Sequence, residues 1–141
     1  MALLFEHLDK AFANFEKALF QLEKLDPADP LYELIRSALI QTFEYTWDAF
    51  VKAVIRCLIE DLANPARVEE MVYKQQMIEA QKKGYITDVE MWLKYRKLRN
   101  KTSHEYFEQH AVEVALNARE FYREVKYCKE VMKANHEDLS L

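Results

Sequence analysis

Four residues in the run RNKTSHEY have the types that phosphate chemistry needs: Arg99, Asn100, His104 and Tyr106. A neutral imidazole can take a proton from a ribose 2′-hydroxyl, and a guanidinium can bind two non-bridging phosphate oxygens and stabilise the charge that develops on them. Neither step requires a metal, and Asn100 can orient or contact the phosphate. On one continuous helix, five steps of about 100° would put Arg99 and His104 on different faces, so cooperation requires the chain to turn between them. Asn100, Thr102 and Ser103 favour a turn, because short polar side chains compete for nearby backbone groups. The run therefore predicts a corner between two helices. A plainer role fits the same spacing: an arginine bonding helix-terminal carbonyls and a histidine capping the next helix. Cleavage of a phosphodiester normally uses a base and an acid, and one chain supplies one such histidine. A symmetric dimer that brings two corners together would supply both.

The surroundings of the corner are basic. The whole chain of 141 residues carries a net charge of −4, which argues against a generally nucleic-acid-coating surface. Residues 82–101 nevertheless hold seven basic side chains against two acidic ones, net +5, while the remainder is −9. Within that stretch Lys94, Arg96, Lys97 and Lys101 form a candidate RNA-binding patch next to Arg99.

Other chemistry finds fewer parts. His7, His110 and His136 lie among helix-surface residues and read as solvated or partly packed. The adjacent pairs Glu60–Asp61, Glu69–Glu70 and Glu137–Asp138 do not converge on one helix face and read as solvated. No HExxH, Gly-rich phosphate loop, DxD or GxSxG is present, so the usual metalloprotease, NTPase, kinase and hydrolase readings lack their parts. Cys57 and Cys128, without CxxC spacing or a Cys/His cluster, read as core packing in a reducing compartment. No metal or cofactor is expected.

The elements that must position these groups are helical. One glycine, three prolines and 31% charged residues leave little turn material and predict an all-α fold, a single domain of a few long helices with short loops. Phe5, Leu8, Phe12, Phe15, Leu19 and Leu22 give one apolar face to a first helix from Ala2 to Leu25, which DPADP ends. A second helix, about Leu31 to Leu62, is apolar on more than one face and should be central, buried by its neighbours, with a second subunit as an additional way to cover it. Asn64 as N-cap and Pro65 start a third helix, which runs to Lys83 and ends at a left-handed Gly84. Thr87 and Glu90 in TDVE predict a capping box for a fourth helix ending near Asn100. A fifth runs from about Glu108 to Ala134, and the tail NHEDLSL should fray. These lengths favour an antiparallel up-and-down bundle of four to five helices. No apolar run is long enough to span a bilayer and MALLFEHLDK lacks a secretory pattern, which points to the cytoplasm.

The segments IQTFEYTWDAFVKAVI and GYITDVEMWLKYRKLRNKTSHEY resemble the HEPN-domain proteins first described as nucleotidyltransferase substrate-binding subunits. The resemblance covers most of the chain and is most specific from Trp92 to Tyr106, where Arg-Asn-x-x-x-His-x-Tyr stands as Arg99, Asn100, His104 and Tyr106. It implies a helical bundle, a homodimer whose Arg-x4-His motifs face each other, and metal-independent RNA cleavage as the toxin of a toxin–antitoxin pair. It further implies a partner, an MNT-type nucleotidyltransferase antitoxin that adds AMP to the tyrosine corresponding to Tyr106. Such relatives carry an acidic residue before the motif arginine, where this chain has Leu98. That departure keeps open the older reading, a non-catalytic substrate- or nucleotide-binding subunit of a separate nucleotidyltransferase. A plain helical adaptor is the third possibility.

Overall fold

A computed structural model describes residues 4–62, 64–101 and 107–136. Among them every regular element is an α-helix: α1 (Leu4–Lys24), α2 (Tyr32–Asp61), α3 (Pro65–Glu70), α4 (Tyr73–Lys83), α5 (Val89–Asn100) and α6 (Phe107–Asn135). The all-α bundle expected from the sequence is what forms.

Cross-helix pairs give the directions. Asp9 meets Lys129 and Lys133, and Glu16 meets Tyr122, so α1 and α6 are antiparallel. Trp92 meets Glu124, Lys94 meets Glu120 and Lys101 meets Glu113, so α5 and α6 are antiparallel as well. Arg36 meets Glu108 and Asp61 meets His136, so α2 and α6 run in the same sense. The loop after α1 is short because Asp26 and Asp29 accept from the Ala28 and Leu31 N–H groups at 2.8 Å, local turns that compensate for the two prolines.

Aromatic rings fill the centre. Phe50 stacks on Trp92 with centroids 4.3 Å apart, and Phe43 and Tyr95 both pack edge-on against Phe121, at 4.7 and 5.0 Å. Trp92, Tyr95 and Leu98 form the buried face of α5 and so set its roll about its own axis. Cys57 and Cys128 are fully buried free thiols, and burial pushes the Cys57 thiol up to about 12.

Several local expectations are corrected by packing. The third helix is two helices, because Met71 and Val72 are extended, with ψ of 140° and 159°. At this break the Val68 carbonyl accepts from the Met71 N–H at 3.2 Å and from the buried Gln76 amide at 3.1 Å, which stabilises the interruption. Asn64 occupies the N-cap position of α3 without a side-chain capping bond, whereas Gly84 has the expected left-handed φ of 80°. Thr87 does not cap α5: its N–H and hydroxyl both donate to Glu124, and Asp88 takes the N-cap, accepting from the Glu90 N–H at 3.0 Å. His110 and His136 are buried rather than at the surface, each 7% exposed.

Asp61 is partly buried rather than solvated, and His136 is buried; residues 137–141, which hold the rest of the tail NHEDLSL and the Glu137–Asp138 pair, lie outside the described residues. The His136 ring lies between the Met132 carbonyl, 3.0 Å from Nδ1, and Asp61 Oδ1, 2.7 Å from Nε2. The Tyr85 hydroxyl donates to the other Asp61 oxygen. Burial alone would raise the Asp61 carboxyl, but the bonds from Tyr85 and His136 outweigh it and hold the group below its ordinary 3.8. A depressed carboxylate contributes stability that is present above the unfolded value and is lost as pH falls through the folded one. The thermal stability of the wild type should therefore fall as pH drops below about 4, and Asp61→Asn should flatten that dependence. An unchanged slope in the variant would remove Asp61 from the acid transition.

Candidate functional site

Arg99 lies in the last turn of α5, one turn beyond the buried Tyr95, and its side chain is 30% exposed. The roll imposed by Trp92 and Tyr95 aims it at α2. There Nε donates to Asp48 Oδ1 at 3.0 Å and Nη2 to Asp48 Oδ2 at 3.1 Å, a two-point clamp, while Nη1 stands 3.5 Å from Glu44 Oε2. The bonds to Asp48 raise the guanidinium above its usual range, with the Glu44 charge adding to them, so its positive charge is permanent. Asp48 uses the Nε/Nη2 edge. A second anion binding bidentately at the Nη1/Nη2 end would compete with Glu44 for Nη1.

The stretch after Arg99 is tied down at both described ends. Arg36, 8% exposed, donates to Glu108 Oε1 at 3.0 Å and to Oε2 at 2.5 Å, and this bond holds the Glu108 carboxyl below its usual range. Arg99 and Glu108 thus both dock on α2, at positions about 18 Å apart along its axis. His104 and Tyr106, with Thr102 and Ser103, lie outside the described residues.

The basic patch has its own place. Lys94, Arg96, Lys97, Asn100 and Lys101 line one open cavity of about 610 Å³, with Glu113 of α6 at its edge. Arg99 points away from it toward α2. Lys94 pairs with Glu120 at 2.7 Å, Lys101 pairs with Glu113 at 3.2 Å, and the Arg96 guanidinium sits 4.8 Å from the Tyr73 ring centroid. Exposed pairs of this kind contribute about 0–1 kcal/mol, so an incoming phosphate can exchange for the carboxylates. Among the described residues no group of three His, Cys, Asp or Glu side chains is placed to hold a metal ion, and no helix is long and apolar enough to cross a membrane.

Residues 3–134 match the family model described as nucleotidyltransferase substrate binding protein like. The chain belongs to that family. Similarity to individual members runs nearly end to end. A Haemophilus influenzae protein named "Probable ribonuclease HepT" is 28% identical over 134 residues, 92% of each chain. A solved structure from the same species, described as the fold of a substrate binding domain of a nucleotidyltransferase, matches with a TM-score of 0.80 at 27% identity, over 89% of this chain and 96% of that one.

In this member of the substrate-binding family, the acids that engage the motif arginine come from α2 and not from the preceding residue, Leu98, which is buried. Glu44 and Asp48 were missed by reading along the chain. A signal was present: they stand four apart in FEYTWDAF, the spacing that puts two carboxylates on one helix face. Nothing local says which cation they meet, because Arg99 is 51 residues away from Asp48.

Proposed function

We propose that the chain, as one HEPN-like unit, is a metal-independent endoribonuclease toxin of a HEPN/MNT toxin–antitoxin pair, acting in the cytoplasm as a homodimer. The observation that carries this reading is the clamped Arg99, fixed by Asp48 and Glu44 one turn past the aromatic core and five residues before His104. His104 takes the proton of a ribose 2′-hydroxyl, whose oxygen attacks the adjacent phosphorus. Arg99 holds two non-bridging oxygens as their charge grows, and Asn100 orients the phosphate. The bond to the 5′-oxygen breaks, and that oxygen takes its proton from the partner subunit's His104, leaving a 2′,3′-cyclic phosphate and a 5′-hydroxyl. The patch of Lys94, Arg96, Lys97 and Lys101 follows the RNA backbone away from this point. AMP added to Tyr106 by an MNT-type nucleotidyltransferase would put a bulky anion where the RNA phosphate binds, switching the toxin off.

The family description and the solved Haemophilus structure favour a second reading, a non-catalytic subunit that presents substrate or nucleotide to a separately encoded nucleotidyltransferase. Both readings predict a nucleotidyltransferase partner. They part on RNA cleavage in EDTA by purified wild type and His104→Ala. The nuclease reading expects cleavage by the wild type and its loss in the variant, with growth arrest on expression of the wild-type chain alone. Equal product from both proteins would sink the catalytic assignment, and absence of both cleavage and arrest would leave the subunit.

A further inference from the structure

A second recess opens on the other side of Asp48. It lies between α1 and α2, has a volume of about 390 Å³, and is lined by His7, Lys10, Ala11 and Asn14 from α1 and Thr42, Tyr45 and Asp48 from α2. Asp48 is therefore a shared wall: its carboxylate clamps Arg99 on α5, and the residue also lines the recess. Two carboxylate oxygens offer about four lone-pair positions, and Arg99 uses two. Tyr45 is 56% exposed, an unusual state for a large aromatic on an otherwise central helix, and its hydroxyl accepts from the Gln41 amide at 3.1 Å, which orients the ring. Lys10, His7 and Asn14 are exposed along the α1 wall.

A flat ring, two groups able to carry positive charge, an amide and an acceptor around one recess match the components of a nucleotide. Ring faces stack on bases without regard to sequence, cations meet phosphate, and amides read base edges. We infer that the α1–α2 recess is a subsite for the RNA nucleotide that neighbours the phosphate held by Arg99, with Tyr45 stacking on its base and Lys10 and His7 facing its outer phosphate. This deepens the nuclease reading and rests on it for the identity of the ligand as RNA. Asp48 then has two jobs, fixing the arginine and accepting a hydrogen bond from the flanking nucleotide. In this arrangement the recess contributes binding, and the chemistry stays with the corner.

The test uses a short 2′-O-methyl oligoribonucleotide, which lacks the attacking hydroxyl and cannot be cleaved, with binding followed by fluorescence anisotropy. Tyr45→Ala should weaken binding by about 5- to 100-fold, and Tyr45→Trp should restore it. Lys10→Glu should weaken binding and make it less steep in salt. Tyr45 is exposed, so unfolding temperatures should match the wild type. Unchanged affinity in Tyr45→Ala and Lys10→Glu overturns the subsite. A shift in oligomeric state in Tyr45→Ala at unchanged oligonucleotide affinity overturns it too, in favour of an interface between copies. Oligonucleotide binding that obeys these expectations in a wild type unable to cleave RNA would uphold the subsite while the nuclease reading fails.

Discussion

Arg99→Ala should lower RNA cleavage by on the order of 10²- to 10³-fold while leaving the helical fold in place. The first part follows from the role assigned to the guanidinium, which stabilises charge present only as the phosphorus is attacked. The second follows from where the side chain sits. Asp48 is 47% exposed and Arg99 30% exposed, so loss of the clamp should cost about 1 kcal/mol or less. Arg99→Lys is the sharper variant. A lysine keeps the charge but presents a single ammonium, which cannot bond both Asp48 oxygens along one edge and offer a second edge to phosphate. Its cleavage rate should therefore stay close to that of Arg99→Ala, with circular dichroism and unfolding temperature near wild type. Near-wild-type cleavage by Arg99→Lys would mean that charge alone suffices and that the planar fork held by α2 has no catalytic use. Asp48→Asn probes the same contact from the other side, since an amide accepts through one oxygen only.

A large loss of stability should come from Glu124→Ala, about 2–4 kcal/mol by urea denaturation. Glu124 is 7% exposed and collects donors from three directions. Its Oε1 accepts from the Thr87 N–H at 2.9 Å, the Trp92 indole N–H at 3.2 Å and the Cys128 thiol at 3.3 Å, and its Oε2 from the Thr87 hydroxyl at 2.8 Å. Alanine leaves a cavity and strands two buried donors, the Trp92 indole N–H and the Cys128 thiol, while the exposed Thr87 can turn to water. Glu124→Gln should cost less, about 1–2 kcal/mol, because its remaining oxygen can keep the Oε1 bonds while the Thr87 hydroxyl rotates to accept from the new amide. Equal losses in the two variants would show that charge, and not the number of acceptors, is what the site requires. The consequence reaches the candidate site through α5. Glu124 holds the loop before that helix and its first buried ring, and the roll of α5 decides where Arg99 points.

Local chemistry was enough for the helices and for most of their ends. Pro27 and Pro30 interrupt one apolar stripe and precede another, Gly84 takes the left-handed conformation that few other residues accept, and the scarcity of glycine and proline leaves helices as the only regular elements among the described residues. The same kind of reading brought forward Arg99, Asn100 and the basic side chains of α5, because residue type and spacing are properties of a short stretch. Its failures share a cause. Thr87 forgoes its capping role for Glu124, 37 residues on. Asp61 and His136 pack against one another although they stand 75 residues apart, and Met71 and Val72, read as the middle of one helix, are the extended residues that divide it.

In each case the partner is chosen by the rotation of one helix against another. That rotation is set by the sum of contacts along a whole face, here the Phe50, Trp92, Tyr95 and Phe121 cluster, and not by any residue near the group in question. Arg99 is the clearest instance. Its type and its distance from His104 are written in the chain, but its orientation toward Glu44 and Asp48, and away from the basic cavity on the same helix, exists only once α5 has been turned against α2 by its buried rings.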